Sequence, residues 1–465
     1  MTIGPASSAL GDATRRITVH VVGIGGAGMS AIATALHAMG HTVTGSDLKS
    51  SGVTDRLRQA GIQVAIGHVA ANVGSADVVT VSSAIADDNP EIAEARHRGI
   101  TVLARAEALA AIASLRRCIA VAGTHGKTTT ASMLALLLVE AGIRPSFLIG
   151  GDVNEIGTNA VWDEGEWLVV EADESDGSFL ALTPDIAVIT NVEADHLDHY
   201  GSFAAVRSAF EEFAAGARAS RVVGGDDPEA ALIGRATGAD VVGTTSDCTY
   251  RMVDLDLARS SISFGLVDPT GVELGRLAVP VPGLHNAKNA AVAAVAALAA
   301  GVPFATAARA LARFAGVARR FEFRGAANGV TFVDDYAHLP TEVRAALAAA
   351  RDGDWRRVVA VFQPHRYSRT AALWSEFGRA FGDADVVVVT DVYGAGESPV
   401  PGVSGKLVAD AVRQAFPEKP VAYVAGRSPL RAAVGELLEA GDLCCTLGAG
   451  DLTSLPDDLM SDPSW

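Results

Sequence analysis

The segment 123–130, which reads GTHGKTTT, has the residue types of a triphosphate-binding loop. It follows an apolar run at 118–122 and precedes a sequence typical of a helix at 131–140. In such a loop the backbone amides and the helix N-terminus direct positive charge at phosphate, a lysine reaches the outer phosphates, and a threonine hydroxyl can ligate Mg2+. Val121 stands where the common eight-residue pattern has its first glycine, so this loop is a shortened variant. The predicted ATP contacts are Gly123, Thr124, His125, Gly126, Lys127, Thr128 and Thr129.

A second glycine-rich loop, GIGGAGMS at 23–30, matches the pattern GxGxxG after a predicted strand. Asp47 ends the next predicted strand, where an acid that binds ribose would stand. The motif alone leaves three interpretations open: a tight turn without a ligand, a NAD site, or a site for another pyrophosphate. What it predicts is an anion site of pyrophosphate size.

Two acidic segments follow predicted strands, EADESD at 171–176 and NVEADHLDHY at 191–200. Ligands bind at the carboxyl edge of the sheet in α/β folds, so both segments are expected beside the phosphate loop. Mg2+ takes few carboxylates, and Glu171, nearest the strand end, is the first choice. His196 is a candidate ligand for a second metal. Read in isolation, the two segments could instead be a solvated acidic loop and a partnered surface histidine.

Three further groups of polar residues lie later in the chain. Asn286 and Asn289 open a predicted helix, where they are either caps or amides suited to an adenine edge. Arg366 and Arg369, after another strand, can present parallel donors to a carboxylate or phosphate. Arg320 lies at a predicted domain boundary, from which it could reach a nucleotide.

The elements that must position these residues alternate between strand and helix patterns. Such alternation predicts parallel sheets covered by helices, hence an α/β fold. Between 248 and 281 the pattern changes to short alternating strands, which predicts an antiparallel side sheet. The residues from Leu455 onward are predicted to be a loose polar tail. At 465 residues the chain suits about three domains, predicted as 1–113, 114–318 and 319–465.

Composition narrows the class of protein. The formal net charge is −17 and there is no basic stripe, which argues against a nucleic-acid-binding protein. No apolar run reaches the roughly 20 residues of a membrane helix, and the N-terminus lacks the apolar core of a signal peptide. The four cysteines lack metal-binding spacing and are expected to be buried thiols in a reducing compartment. We expect a cytoplasmic protein; the sequence carries no signal for an oligomeric state.

Taken together, these motifs resemble the Mur ligase family over nearly the full length of the chain. Nine motifs occur in the family's order: GIGGAGMS, GTHGKTTT, EADESDGSFL, TNVEADHLDHY, PGLHNAKN, GVARRFE, DDYAH, FQPHRYSRT and GAGD. The N-terminal glycine loop marks the subgroup that adds the first amino acid. The resemblance implies a Rossmann-like domain for a UDP-sugar, a central ATP-binding domain and a Rossmann-like third domain that closes over both. It implies ATP-dependent ligation of L-alanine to the lactyl carboxylate of UDP-N-acetylmuramate, in peptidoglycan precursor synthesis.

The resemblance also implies roles for individual residues. The first glycine loop would hold the UDP pyrophosphate rather than NAD. Mg2+ would be bound by Thr128, Glu171 and His196. Lys127 and Arg320 would contact the ATP phosphates, Asn286 and Asn289 the adenine, and Asp335 the ribose. Lys127, Glu171, His196 and Arg320 are the predicted catalytic set. The predicted substrate-binding residues are Gly25, Gly26, Ala27, Gly28, Met29, Ser30, Asp47, Ser82, Ser83, Tyr336, His338, Arg366 and Arg369.

One departure from the family stands out. The family usually has DDYAHHP, whereas this chain has Leu339 in place of the second histidine. Two alternative functions stay open at this point. One is a recycling ligase that joins a whole murein peptide to the same sugar nucleotide. The other, from a different class, is a NAD-dependent oxidoreductase that uses the first domain.

Overall fold

The computed structural model describes residues 10, 15–82 and 84–462 of the chain. These described residues contain three β-sheets, of five, ten and six strands, each covered by helices. This is the α/β class that the sequence predicts. No helix in the described part is both long enough and apolar enough to cross a membrane. The predicted substrate residue Ser83 lies outside the described residues.

The first sheet has the strand order β3-β2-β1-β4-β5, and all of its pairings are parallel. Its central strand is buried on both faces, as the near-continuous apolar run of that strand requires. The strands are β1 (Thr18–Val22), β2 (Thr42–Asp47), β3 (Gln63–Ile66), β4 (Val78–Val81) and β5 (Thr101–Ala104). The helices are Ala27–Ala38, Gly52–Gln59, Pro90–His97 and Arg105–Ala113.

The second sheet has the order β15-β14-β13-β12-β11-β10-β6-β9-β7-β8. Its strands are β6 (Arg117–Ala122), β7 (Ser146–Val153), β8 (Thr158–Val161), β9 (Trp167–Glu171), β10 (Ile186–Ile189), β11 (Ser220–Gly224), β12 (Asp240–Gly243), β13 (Tyr250–Ala258), β14 (Ser261–Val267) and β15 (Glu273–Val279). The helices are Lys127–Glu140, Leu197–Tyr200, Phe203–Ala215, Pro228–Thr237, Leu284–Ala299 and Phe304–Leu311. The predicted side strands β13–β15 are joined to the main sheet, because Val242 and Gly243 of β12 pair with the start of β13.

The third sheet has the order β16-β17-β21-β18-β19-β20, with an antiparallel edge strand on an otherwise parallel sheet. Its strands are β16 (Glu322–Ala327), β17 (Val330–Asp335), β18 (Arg357–Phe362), β19 (Val386–Val389), β20 (Val421–Tyr423) and β21 (Asp442–Leu447). The helices are Pro340–Arg351, Tyr367–Phe377, Gly405–Ala415, Arg427–Leu437 and Leu455–Ser461.

The chain forms two compact units. One holds residues up to 253 with 265–277 and 288–314, and so contains the first sheet and most of the second. The other holds 254–264, 278–287 and the residues from 315 onward, including the third sheet. The predicted domain boundaries at 113/114 and 318/319 stay predictions.

The prediction of a loose tail from Leu455 is wrong. Residues Leu455–Ser461 form a helix. Leu455 and Leu459 are one turn apart and are buried in the same hydrophobic cluster as Phe332 and Leu452. Met460 packs against the same cluster, so the apolar residues of this short helix lie on the side that docks against the third sheet.

Candidate active site

The phosphate loop is shaped by two glycines at the end of β6. Gly123 and Gly126 have φ angles of 136° and 80°, which L side chains rarely adopt. A Cβ on Gly123 would lie 1.9 Å from Thr190 Oγ1, and one on Gly126 would lie 2.5 Å from Asn289 Oδ1. The helix Lys127–Glu140 begins directly after the loop. The backbone can therefore curl tightly around an anion at the helix N-terminus.

The segment after β10 holds this loop from one side. Asn191 Oδ1 accepts from the His125 amide at 2.9 Å, and Asn191 Nδ2 donates to the His125 carbonyl at 3.0 Å. Thr190 Oγ1 donates to the same carbonyl at 2.5 Å. Thr124 Oγ1 accepts from the Glu193 amide at 2.9 Å. The sequence placed this segment at the right edge of the sheet but gave no role to Thr190 or Asn191.

Lys127 is held at the loop by three acceptors. Its Nζ donates to the Gly123 carbonyl at 2.6 Å, to the Thr124 carbonyl at 3.3 Å and to Glu174 Oε1 at 2.8 Å. Burial disfavours the ammonium charge, but the carboxylates of Glu174, Glu171 and Asp173 outweigh burial and raise the pKa of Lys127. The lysine is therefore a cation poised at the loop.

Glu174 is another residue of this site to which the sequence gave no role. Its side chain is 3% exposed, and burial raises its pKa although the Lys127 ammonium opposes that shift. The only sequence signal was its membership of the acidic segment 171–176. Position in that segment favoured Glu171 because it is closest to the strand end.

Thr128 and Glu171 lie together, as a shared metal site requires. Thr128 Oγ1 is 3.1 and 3.0 Å from the two carboxylate oxygens of Glu171. The Gly150 amide donates to Glu171 Oε2 at 2.8 Å and fixes the orientation of the carboxylate. The described residues contain no group of three or more His, Cys, Asp or Glu side chains arranged to hold a metal. A threonine hydroxyl and one carboxylate are oxygen ligands of the kind that Mg2+ takes together with substrate phosphates. Thr129 is buried in the same helical turn.

His196 lies beside carboxylates other than Glu171, the one with which it was predicted to share Mg2+. Its Nε2 is 3.3 Å from Asp195 Oδ2 and 3.9 Å from Glu174 Oε1. Its backbone is left-handed, with φ of 54°. Glu174 thus stands between Lys127 and His196.

The first glycine loop follows β1 and is braced by Asp47. Asp47 Oδ2 accepts from the Gly25 amide at 2.8 Å, and a Cβ on Gly25 would meet the same oxygen at 2.8 Å. The amide of Gly26 donates to the carbonyl of Gly23 in the turn. The helix Ala27–Ala38 begins at the loop, so its N-terminus faces the space where an anion would bind.

The other predicted substrate residues near this loop have different surroundings. Met29 is buried in the core, and the Ser30 hydroxyl donates to the Ala27 carbonyl at 2.9 Å. Ser82 lies next to the loop: a Cβ on Gly23 would be 3.4 Å from Ser82 Cβ. Gly28 lies next to Arg105, which the sequence had not singled out: a Cβ on Gly28 would be 3.3 Å from Arg105 Nη1.

In the second compact unit, hydrogen bonds made by Arg319 and Asp335 hold the segment before β16 in place. Arg319 Nε pairs with Asp334 Oδ2 at 3.2 Å, and its Nη2 donates to the Gly448 carbonyl at 2.7 Å. The two carboxylate oxygens of Asp335 accept from the amides of Phe321 and Ala337, each at 2.7 Å. Burial raises the pKa of Asp335 to about 6, against the opposing charge of Arg320.

Arg320 and Tyr336 lie against each other. The Arg320 guanidinium is 5.2 Å from the centroid of the Tyr336 ring. Within the described residues Arg320 forms no ion pair, whereas its neighbour Arg319 does. Arg320 is therefore the arginine of this pair whose charge is available to an anion.

His338, His365 and Arg369 form a second cluster in this unit. The two imidazole centroids are 5.7 Å apart, and Arg369 Nη1 is 3.1 Å from His365 Nδ1. Burial, with His338 and the nearby arginines, lowers the pKa of His365 to about 4, and burial also lowers the pKa of His338. Arg366 is exposed and has φ of 66°. The cluster thus offers neutral imidazoles beside permanent cations at neutral pH.

The predicted adenine residues have structural partners. Asn286 Nδ2 donates to the Pro282 carbonyl at 2.8 Å. Asn289 packs against Gly126, as described above. The prediction that these amides face adenine stays a prediction.

Comparisons with known proteins decide the family. The profile described as "Mur ligase family, catalytic domain" matches residues 18–117, "Mur ligase middle domain" matches 121–297, and "Mur ligase, glutamate ligase domain" matches 319–450. A UDP-N-acetylmuramate–L-alanine ligase of Geobacter sp. (strain M21) is 44% identical over 453 residues, which cover 95% of this chain and 96% of that protein. The chain belongs to the Mur ligase family.

Two solved Mur ligase structures have the same fold. The UDP-N-acetylmuramate–alanine ligase of Thermotoga maritima is 29% identical and superposes with a TM-score of 0.82 over 96% of this chain and 99% of that chain. A murein peptide ligase from Psychrobacter arcticus 273-4 is 26% identical, with a TM-score of 0.70 over 96% of this chain and 98% of that chain.

The departure from the Mur ligase pattern at position 339 has a structural account. Leu339 is buried with 7% exposure and directly precedes the helix Pro340–Arg351. Glu342 Oε2 accepts from the amides of His338 and Leu339, at 2.9 and 3.1 Å. The leucine is thus buried at the start of this helix, while the adjacent His338 keeps an imidazole in the cluster with His365.

Proposed function

We propose that this chain is an ATP-dependent ligase that joins L-alanine to the lactyl carboxylate of UDP-N-acetylmuramate. The observation that carries the proposal is similarity along almost the whole chain to a ligase named for this reaction. The greater structural similarity to an alanine ligase than to a murein peptide ligase favours a single amino acid as the acceptor. The site geometry is consistent with this reaction.

The physical problem of the reaction is to make an amide in water. A carboxylate is a poor electrophile, so it is first phosphorylated by ATP to an acyl phosphate. The alanine amine then attacks the acyl carbon, and inorganic phosphate leaves from the tetrahedral intermediate. In the first step two anions, carboxylate and γ-phosphate, must approach each other. Cations and directed amides that neutralise this repulsion are the main catalytic requirement.

In this proposal Lys127 binds the outer phosphates of ATP, and the amides of the 123–130 loop cradle them. Lys127 is already a cation held at the loop mouth by Glu174 and two carbonyls. ATP phosphates would replace the carbonyls as its partners, because a charge-assisted bond to phosphate is stronger than a bond to a neutral carbonyl. Asn289 keeps the Gly126 turn in place by packing against it.

The oxygen pair of Thr128 and Glu171 would hold Mg2+. The fit rests on their separation of 3.0–3.1 Å and on the amide of Gly150 that orients the carboxylate. A bound Mg2+ supplies positive charge to the phosphate oxygens. His196 stays a proposed metal ligand, with Asp195 and Glu174 as its neighbours.

The proposed UDP-sugar site is the glycine loop 25–28 with Asp47. Its amides and helix N-terminus suit the diphosphate, and Asp47 maintains the loop by accepting from Gly25. Arg320, Tyr336, His338, Arg366 and Arg369 are proposed to bind phosphate, the lactyl carboxylate or alanine. The proposed role of Asp335 in binding ribose competes with its two backbone partners, Phe321 and Ala337.

A reconstituted reaction tests the proposal. Purified protein with ATP and Mg2+ should release ADP and phosphate only when UDP-N-acetylmuramate and L-alanine are both present. With oxygen-labelled lactyl carboxylate, one labelled oxygen should appear in the released phosphate. ATP turnover that ignores the sugar nucleotide, or phosphate that carries no label, would reject the mechanism.

The same assay separates the alternatives. A murein tripeptide that replaces L-alanine as a better acceptor would indicate the recycling ligase. Nicotinamide binding, with no need for ATP, would indicate the oxidoreductase. Glycine and L-serine belong in the amino-acid panel, because one methyl or hydroxyl group in a pocket changes binding by about 1–3 kcal/mol.

A further inference from the structure

Arg105 lies between two segments of the proposed site that are far apart in the sequence. It is the first residue of the helix Arg105–Ala113. Its Nη2 donates to Asp173 Oδ2, in the acidic segment, at 2.9 Å. Its Nη1 lies 3.3 Å from the position of a Cβ on Gly28, in the glycine loop. The two terminal nitrogens of one guanidinium therefore face different parts of the site.

The position of this guanidinium is well defined. The Arg105 side chain is only 17% exposed. Asp173 is fixed in turn, because its Oδ1 accepts from the Ser175 amide at 3.0 Å. A carboxylate held in this way orients an arginine fork.

The glycine loop is also hydrogen-bonded to a residue of the second sheet, close to Arg105. Asn159 Nδ2 donates to the Ala27 carbonyl at 3.3 Å and to the Ile149 carbonyl at 3.2 Å. Arg105 is consequently a fixed cation beside a loop whose amides already favour an anion. The cationic side chain next to Gly28 in this loop is that of Arg105.

We propose that Arg105 binds the diphosphate of the sugar nucleotide and that Asp173 is the residue that positions it. This inference rests on the proposed function, since it requires a nucleoside diphosphate at the glycine loop. A guanidinium carries five N–H donors, so Nη2 keeps its bond to Asp173 while the remaining donors bond phosphate oxygens. The diphosphate thereby becomes linked, through Arg105 and Asp173, to the segment that holds Glu174 and Lys127.

Kinetics of Arg105→Ala test the role of the guanidinium. We expect the KM for UDP-N-acetylmuramate and the inhibition constant of UDP to rise together, by about 10- to 100-fold, the loss typical of a charged hydrogen bond. The KM for ATP should change less than threefold, and kcat should fall by less than the KM for the sugar nucleotide rises. Arg105→Lys keeps the charge without the fork and should recover part of the loss.

Asp173→Asn tests the positioning role. It should raise the KM for UDP-N-acetylmuramate less than Arg105→Ala does, because the arginine remains but is less well oriented. The double variant should then resemble Arg105→Ala alone, since Asp173 acts through Arg105. Arg56→Ala is the matched control: Arg56 forms an ion pair of the same length, 2.9 Å, with Asp152, but its side chain is 58% exposed. It should leave both constants unchanged.

The outcomes separate this inference from the proposed function. Failure of the wild-type protein to ligate L-alanine would reject the proposed function, and calorimetry with UDP would then still report on Arg105. A wild-type enzyme that ligates, with Arg105→Ala and Arg105→Lys both indistinguishable from Arg56→Ala, would reject the inference alone. Equal losses for UDP and ATP would mean that Arg105 has only a structural role. If Arg105→Ala does not fold, Arg105→Lys and Asp173→Asn decide by the same comparison.

Discussion

At the scale of single residues, the pair Lys127–Glu174 determines the electrostatics of the phosphate loop. The two charges are 2.8 Å apart, and both side chains are largely buried. Removal of one partner leaves the other as an uncompensated buried charge, which is costly. The pair therefore keeps the lysine in place before phosphate arrives, and its two members should differ in their effects on catalysis.

Lys127→Ala should remove ligation. The loss of a cation at the transferring phosphate is expected to lower kcat by at least about 100-fold, as for other groups that stabilise charge in the transition state. Release of ADP in the complete reaction measures the effect, and thermal unfolding monitors the folded state. Lys406→Ala is the control, because Lys406 is 60% exposed and pairs with Asp410 one turn away at the surface. Near-normal turnover by Lys127→Ala would contradict the proposed role in ATP binding.

The depressed pKa of His365 makes the stability of the second unit depend on pH. The folded pKa is about 4 and the ordinary value is 6.5. Below pH 6.5 the unfolded chain takes up a proton that the folded chain does not, so stability present above pH 6.5 is lost as the pH falls towards 4. The contribution of this group at pH 5 is a loss of about 2 kcal/mol.

His365→Gln, which cannot be protonated, should remove that part of the acid sensitivity. Urea unfolding of both proteins at pH 7.5 and pH 5 measures it. The fall in unfolding free energy between the two pH values should be smaller for the variant by about 2 kcal/mol. Asp335, whose folded pKa is raised to about 6, acts in the opposite direction and is present in both proteins. An equal fall in both proteins would mean that His365 titrates normally in the folded state.

How far the sequence predicted this site depends on the type of signal. The phosphate loop was predictable because glycine, lysine and threonine occur at fixed spacing after a strand. The structure places Thr128 in contact with Glu171, since both lie at strand or helix ends on one sheet edge, and their shared role in binding Mg2+ stays a prediction. Glu174 and Arg105 were not singled out, because their roles arise from contacts to Lys127 and Asp173 across 47 and 68 residues of sequence. Such contacts have no local pattern.

At the scale of elements, one carboxylate links the helix Pro90–His97 to β1, to β2 and to the segment 68–72. Glu91, in the first turn of the helix Pro90–His97, is completely buried. It accepts from Ser46 Oγ at 2.6 Å and Asn72 Nδ2 at 2.5 Å, and lies 3.2 Å from His68 Nδ1 and 3.5 Å from His20 Nε2. Burial would raise its pKa, but His20, Ser46 and Asn72 lower the pKa to about 2.

Glu91→Ala should destabilise the first sheet by about 3–5 kcal/mol, because it removes the shared acceptor and leaves several buried polar groups unpaired. Glu94→Ala in the same helix is the matched control. Its pair with Arg98 spans 4.0 Å at the surface and should contribute less than about 1 kcal/mol. Hydrogen exchange in β1, β2 and β4 measures the difference. Similar protection in the two variants would show that packing alone holds these strands together.

Elements were predictable where their pattern is local. Strands β1, β4 and β10 are short apolar runs bounded by turns, for which the sequence predicts strands at 17–22, 78–81 and 186–190, within one residue of the observed bounds. The helix Leu455–Ser461 was missed because it is short and its few apolar residues gain stability only from a hydrophobic cluster that the third sheet provides. The pairing of β12 with β13 was also not predicted, because it depends on two residue pairs that have no pattern in the local sequence.

At the scale of the whole molecule, the sequence predicts domains that are continuous segments, whereas each compact unit of the structure combines separate segments of the chain. Motif order suggests a third domain that begins at 319. The second compact unit also contains 254–264 and 278–287. Within that unit Arg259 lies over the Trp355 ring, 3.4 Å from its centroid. A Cβ on Gly283 would be 2.8 Å from Ala349 Cβ, so this backbone packs closely on the helix Pro340–Arg351.

A fragment that begins at 319 should therefore be less stable than the same residues in the intact chain. It lacks Arg259 and Gly283, so Trp355 and the helix Pro340–Arg351 lose packing partners. Hydrogen exchange of β17 and β21 amides should be faster in the fragment. Arg259→Ala in the intact chain isolates one contact, for which a cation–π interaction predicts a loss of about 0.5–2 kcal/mol. Equal protection in fragment and intact protein would place the boundary of the folded unit at 319, and the contacts from 254–287 would then be accessory to a domain stable by itself.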